Sequence, residues 1–266
     1  MVAPKPVVLR KSEPRIVQYK HLISKSEIKH LLKLANGHFK TSTVVDNQTG
    51  GDVLHQNRTG EFSHLGAGQD QVVQEIEKRL AVVTDTRVEQ GESIQVIRYR
   101  KGQEYKPHYD WFDPALPGSK KQLQFGGQRI LTAIMCLEQA EKGGETSFPN
   151  IGLTVKLEPG DVLLFSNLTS MMLPDKQAMH SGDPVKVGVK TIATRWIRER
   201  AASGLEEEGA RREQLKKQRE TECYREIGDI LRKHGCKLYG KPRADVDPST
   251  GVLVLGATVE LEAIIG

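Results

Sequence analysis

From Ser93 to Arg198 the chain is cut into short β-like runs by turn signals, and this constrains the fold more than any other feature. Residues 94–100, 103–110, 129–138, 153–157, 161–166 and 190–198 carry apolar or alternating patterns. Between them stand Gly143-Gly-Glu-Thr146, Glu158-Pro-Gly160 and a polar insertion over 113–127 with two prolines and three glycines. Parallel strands need crossovers of a dozen or more residues, usually helical. No helical pattern separates these runs, so they predict an antiparallel sandwich or roll. Two amphipathic helices precede it and are expected to pack outside. The first opens with a capping box, Ser24-Lys-Ser-Glu27, carries Ile28, Leu31, Leu32 and Ala35, and stops at Gly37. The second follows Asp70 and carries Val72, Val73, Ile76, Leu80 and Val83.

The flanks read differently. Residues 1–15 hold Pro4, Pro6 and Pro14 and are expected to be an extended arm. Residues 41–69, with Asn47-Gln-Thr-Gly-Gly51 as their clearest turn, are expected to be a long functional loop. Residues 201–266 form a C-terminal extension: a charged helical stretch over 206–222, a modest stripe of Tyr224, Ile227 and Leu231, and β-like runs at 252–255 and 258–263. The main domain is therefore expected over 16–200.

Composition narrows the class. The net charge is +5, with both signs interleaved, which does not point to a nucleic-acid partner. Three cysteines, Cys136, Cys223 and Cys236, are odd in number and not at metal-like spacing, which suits a reducing compartment. The start of the chain shows no apolar leader, and no run of about eighteen apolar residues occurs. The expectation is a soluble cytoplasmic protein without a membrane partner. Oligomeric state is not readable from the sequence.

Chemistry concentrates in the β region. On a strand, His108 and Asp110 of His108-Tyr-Asp110 share a face, because side chains alternate with period two. His180 offers a third ligand. Two imidazoles and a carboxylate are the facial triad that holds non-haem Fe(II) with positions left open. The same alternation puts Lys190, Ile192, Thr194 and Trp196 on one face of the last run, and Thr191, Ala193, Arg195 and Ile197 on the other. Taken alone, Lys190 is either an edge lysine reaching solvent or a buried cation awaiting a carboxylate.

These features resemble the 2-oxoglutarate- and Fe(II)-dependent dioxygenases, and within them the prolyl 4-hydroxylases of the algal, viral and animal collagen-type group. The resemblance rests on Ser42-Thr-Val-Val-Asp-Asn47, Asn57-Arg-Thr59, Gln95-Val-Ile-Arg-Tyr99, Gly102-Gln-Glu-Tyr-Lys-Pro-His-Tyr-Asp110, Gly126-Gly-Gln-Arg129, Gly143-Gly-Glu-Thr146 and His180-Ser-Gly through Trp196. It covers roughly residues 15–200. It implies a double-stranded β-helix (jelly-roll) core and hydroxylation of a peptidyl proline, with 2-oxoglutarate and O2 converted to succinate and CO2. It further implies that His108, Asp110 and His180 bind Fe(II), and that Lys190, helped by Tyr99 and Thr146, takes the distal carboxylate of 2-oxoglutarate. Tyr105, Arg129 and Trp196 would line the proline site, Arg58 would lie at the base of a loop over the substrate, and ascorbate would be the rescuing reductant. The partner implied is a proline-containing peptide or protein. Two other readings stay open at this point: an oxygenase of a free amino acid, lysyl residue or small metabolite, and an inactive β-roll serving as a binding module.

Overall fold

The structure, a computed structural model, describes residues 5–41, 43–45, 52–54 and 57–201, and beyond them only short pieces between Thr221 and Ala263. Its first unit, Met1–Gly204, contains strands β1 (Val7–Arg10), β2 (Ile16–Tyr19), β3 (Lys40–Thr41), β4 (Thr43–Val45), β5 (Asp52–Leu54), β6 (Glu61–His64), β7 (Gln95–Tyr99) and β8 (Tyr105–His108). They are followed by β9 (Arg129–Glu138), β10 (Lys142–Gly143), β11 (Thr146–Phe148), β12 (Leu153–Val155), β13 (Val162–Ser166), β14 (His180–Gly182), β15 (Val185–Val187) and β16 (Lys190–Arg198). The helices are α1 (Lys25–Ala35), α2 (Gln71–Thr84) and α3 (Pro117–Gln124).

An eight-stranded sheet runs β1-β2-β13-β9-β16-β7-β6-β3, and a four-stranded sheet runs β12-β11-β14-β8. Every pairing in both is antiparallel. The two sheets form the jelly-roll core. Ile97, Ile134 and Phe165 of the large sheet meet Phe148 and Val155 of the small one, and the Phe148 and Phe165 rings pack edge to face at 5.1 Å. The other face of the large sheet presents Val96, Met135 and Ala193, which Leu31 of α1 and Ile76 and Leu80 of α2 cover.

The helix starts follow their caps. Ser24 accepts from the Glu27 N–H while a Glu27 carboxylate oxygen accepts from the Ser24 N–H. Asp70 accepts from the Val73 N–H at 2.9 Å. Such caps contribute about 1 kcal/mol each.

Four local expectations change. Residues 7–10 are not a free arm: Val7-Val-Leu-Arg10 pairs with β2 at the sheet edge, because the prolines flank this β-branched run without interrupting it. The stretch read as a loop over 41–69 contains the β4–β5 hairpin and β6, which joins the large sheet through β7. Its tip, 47–51, lies outside the described residues. The insertion over 113–127 contains α3, which Pro117 opens from a favoured first-turn position. His180, where no strand was expected, starts β14.

In the second unit, Leu205–Gly266, Cys236–Lys237 pairs with Glu262–Ala263, and Ala244–Val246 pairs with Leu253–Leu255. The charged helix expected over 206–222 lies almost wholly outside the described residues. No described helix is long and apolar enough to cross a membrane.

Candidate active site

The alternation read from residues 190–198 holds. Lys190, Ile192, Thr194 and Trp196 all line one cavity of the roll. Their neighbours point the other way, with Ala193 under the helices and Arg195 reaching Glu77 of α2.

His108 ends β8 and pairs directly with His180, the first residue of β14. Asp110 lies two residues past the end of β8 but turns its carboxylate to the same place. Its Oδ1 is 3.6 Å from His108 Nε2 and its Oδ2 is 3.5 Å from His180 Nε2. One ligand atom from each of the three falls within a 4.8 Å cluster. The tautomers follow from the partners. His108 Nδ1–H donates to the Lys106 carbonyl at 2.9 Å, and His180 Nδ1–H to the Ala178 carbonyl at 3.1 Å. A carbonyl only accepts, so both Nε2 lone pairs are left facing the centre.

Charge state suits ligation as well. Burial, with His108 adding to it, pushes His180 down to about 4, so it is neutral near pH 7. Burial alone would raise the Asp110 carboxyl, but the histidines and Arg129 outweigh it and hold it well below the usual carboxylate range. Two imidazoles and one carboxylate converging from adjacent backbone segments fit Fe(II) by donor type.

Deeper in the cavity stands Lys190, 3% exposed. Among the described residues its Nζ has no carboxylate within 4.0 Å and makes one hydrogen bond, at 3.5 Å, to the Glu145 carbonyl. Burial pushes its pKa down to about 8. Tyr99 is directly opposite it on β7, and Thr146 is buried on β11 opposite Gly182. Gly182 leaves the space beside the ammonium open: a Cβ there would lie 3.7 Å from Nζ.

At the other end Tyr105 stacks on His108, with ring centres 3.5 Å apart. Arg58, expected at the base of a loop, is buried. It bridges to Tyr105, is 7% exposed, and its guanidinium lies 5.1 Å from the Tyr105 ring. It also donates to Gln95 Oε1 at 2.5 Å. Trp196 closes the row. Arg129 does not line the cavity but stands behind this indole, 4.0 Å from its centre, with Nε and Nη2 each 2.7 Å from a Glu92 oxygen.

Sequence reading missed Glu92, Thr132 and Asn167. Thr132 donates to Asp110 Oδ2 at 2.7 Å, and Asn167 Nδ2 donates to Thr132 at 2.9 Å. A lone hydroxyl inside the apolar run of β9 was a usable signal for Thr132. Glu92 and Asn167 left none, because their partners are remote in sequence.

The comparisons agree with this geometry. The family model of the 2OG-Fe(II) oxygenase superfamily matches residues 94–198. The chain is 38% identical over 205 residues to probable prolyl 4-hydroxylase 10 of Arabidopsis thaliana, covering 70% of this chain and 69% of that protein. It is 38% identical over 204 residues to prolyl 4-hydroxylase 5 of the same plant, covering 70% and 68%. Among solved structures, the viral collagen prolyl hydroxylase of Paramecium bursaria Chlorella virus-1, in its 2OG complex, is similar with a TM-score of 0.53 and 27% identity, over 69% of this chain and 95% of that one.

Proposed function

Because the chain belongs to the prolyl 4-hydroxylase family of 2-oxoglutarate- and Fe(II)-dependent dioxygenases, we propose that its cavity hydroxylates a proline carried in a peptide or protein. His108, Asp110 and His180 would hold Fe(II). Lys190 would pair with the distal carboxylate of 2-oxoglutarate, with hydroxyl help from Tyr99 and Thr146. Tyr105 and Trp196 would flank the proline, Arg58 would fix Tyr105, and Arg129 would fix Trp196. Ascorbate would serve as the rescuing reductant.

The observation that carries this reading is the buried Lys190 ammonium, with no carboxylate within 4.0 Å among the described residues, in the same cavity as the three ligands. An unpaired buried cation costs several kcal/mol, and a bound carboxylate offsets that cost. When bound, Fe(II) with 2-oxoglutarate and O2 supplies the oxidising chemistry that yields succinate and CO2 and inserts one oxygen atom into a C–H bond. The chain's own residues bind, orient and exclude. Lys190 anchors the co-substrate at the depth that Gly182 leaves open. Ile97, Ile134 and Ile192 line the wall and keep water out. Trp196, held flat by Arg129, offers a rigid face to a pyrrolidine ring.

The test is succinate release with added Fe(II) and 2-oxoglutarate, followed by mass analysis of proline-containing peptides. A gain of one oxygen on proline supports the proposal. Oxygen found only on free amino acids, or no succinate at all, would overturn it.

A further inference from the structure

Each of the three ligand side chains is fixed from behind by one hydrogen bond. For the histidines the partner is a backbone carbonyl close in sequence. Asp110 has no such neighbour. It lies beyond the end of β8, where no strand ladder sets its direction. Its partner is Thr132 of β9, and behind Thr132 stands Asn167, one residue past the end of β13. Both are fully buried.

We propose that Asn167 and Thr132 are positioning residues that form a one-way hydrogen-bond relay locking the Asp110 carboxylate in its metal-binding orientation. This rests on the reading of His108, Asp110 and His180 as the metal site. The direction of the relay follows from valence. An ionised carboxylate only accepts, so Thr132 must spend its single proton on Asp110 Oδ2. The Thr132 oxygen is then left as acceptor, and Asn167 must present its NH2 to it. The opposite amide orientation would set two acceptors against each other. Asn167 Oδ1 is accordingly buried without a partner among the described residues, so the bond to Thr132 alone sets the amide. Its backbone is anchored on both sides: N–H donates to the Ile130 carbonyl at 2.9 Å, and its carbonyl accepts from Asp175 N–H at 3.0 Å. Hydrogen bonds in such a chain polarise one another, so Asn167 strengthens the bond that Thr132 makes.

The experiment is calorimetric titration of the full chain with Mn(II) alone, with thermal melts of each variant. Thr132→Val keeps the shape and removes the donor, Thr132→Ser restores the donor, Asn167→Ala removes the relay's root, and His180→Ala is the control. Loss of an outer partner of a ligand typically weakens metal binding about 10- to 100-fold, so Thr132→Val should fall in that range, Thr132→Ser within about 3-fold of the parent, and Asn167→Ala between them. A folded Thr132→Val that binds Mn(II) like the parent overturns the relay, as does a Thr132→Ser as weak as Thr132→Val, which would make the role one of packing. If Thr132→Val does not fold, Asn167→Ala decides: unchanged Mn(II) affinity overturns the relay and weakened affinity supports it. Equal binding by the parent and His180→Ala would overturn the metal-site reading itself, which is a separate result.

Discussion

Lys190 and Tyr99 face each other across the β16–β7 pair, so the ammonium and the phenol enter the cavity from neighbouring strands. Opposite residues of an antiparallel pair lie on the same face within about 5.5 Å at Cα. The arrangement places one cation and one hydroxyl around a single anion-sized space, and the sheet, not a loop, fixes their separation.

Lys190→Met should therefore act on the co-substrate and little on the metal. Truncating one partner of a buried charge pair costs about 2–5 kcal/mol, or roughly two to three decades in Kd for 2-oxoglutarate. The pH dependence has a definite sign. Burial lowers this lysine from its ordinary 10.5 to about 8, so between those values the unfolded chain holds the proton and the folded one does not. Stability of the ligand-free protein from this group therefore rises with pH across that window. Binding needs the ammonium, so the Kd for 2-oxoglutarate should rise about tenfold per pH unit above about pH 8. Calorimetry from pH 7 to 9.5 checks both points. A flat profile in the parent, or a Lys190→Met Kd equal to the parent's, would remove Lys190 from the co-substrate site.

Glu92 tests the support behind the indole. Its carboxylate bonds Arg129 twice at 2.7 Å and Arg198 Nη1 at 2.9 Å. Burial would raise its pKa, but the two arginines outweigh that and lower it. Its contribution is thus present above the ordinary carboxylate range and lost as pH falls below it. Glu92→Gln would remove the carboxylate that pairs with both buried guanidiniums, at a cost of about 3–5 kcal/mol. Urea unfolding at pH 7 measures it. A loss under about 1 kcal/mol would mean that the cluster is solvated and does not hold Trp196 in place.

Periodicity made much of this legible in the sequence. The runs at 129–138 and 190–198 match β9 and β16 end to end, because both are long and the first is apolar from Ile130 to Leu137 except at Thr132. Parity on β16 put Lys190 and Trp196 on one face, and in the structure that face lines the cavity. What stayed hidden lacked a local signal. Leu116-Pro-Gly118 reads as loop, yet α3 starts there without a side-chain cap. Glu61-Phe-Ser-His64 is too polar to read as strand, but the neighbouring β7 supplies its hydrogen bonds. Arg129 carries a motif position, yet only the fold shows that Glu92 and Trp196 occupy its guanidinium.

The second unit should be separable from catalysis. Its described strands pair with each other, and both core sheets are complete without them. Hydrogen bonding of the catalytic unit runs as far as Arg200, whose N–H donates to the Gly126 carbonyl. Truncation after Arg200 should therefore leave Tm within a few degrees and 2-oxoglutarate turnover within about twofold of the parent. Insoluble or inactive truncated protein would show that residues 201–266 complete the fold.

The substrate prediction rests on Arg58 and Trp196, which sit in the cavity wall but away from the Lys190 end. Arg58 is tied to Gln95 and Tyr105, so its substitution should loosen the ring that stacks on His108. Trp196 presents an indole already backed by Arg129. Neither is assigned a contact with 2-oxoglutarate, so both variants should keep most of the uncoupled conversion of 2-oxoglutarate to succinate. Losing an aromatic wall worth about 1.5–3 kcal/mol should lower kcat/KM for a proline-containing peptide about 10- to 100-fold in Trp196→Ala. Arg58→Ala should lower it in the same direction by acting through Tyr105. A peptide has flanking backbone to hold it at this end of the cavity, whereas free proline has only its ring and charged ends, so the parent should hydroxylate the peptide and not the amino acid. Parallel assays of succinate and of peptide mass separate the two steps. Efficient hydroxylation of free proline, with both variants as active on peptide as the parent, would reassign the cavity to a small-molecule substrate.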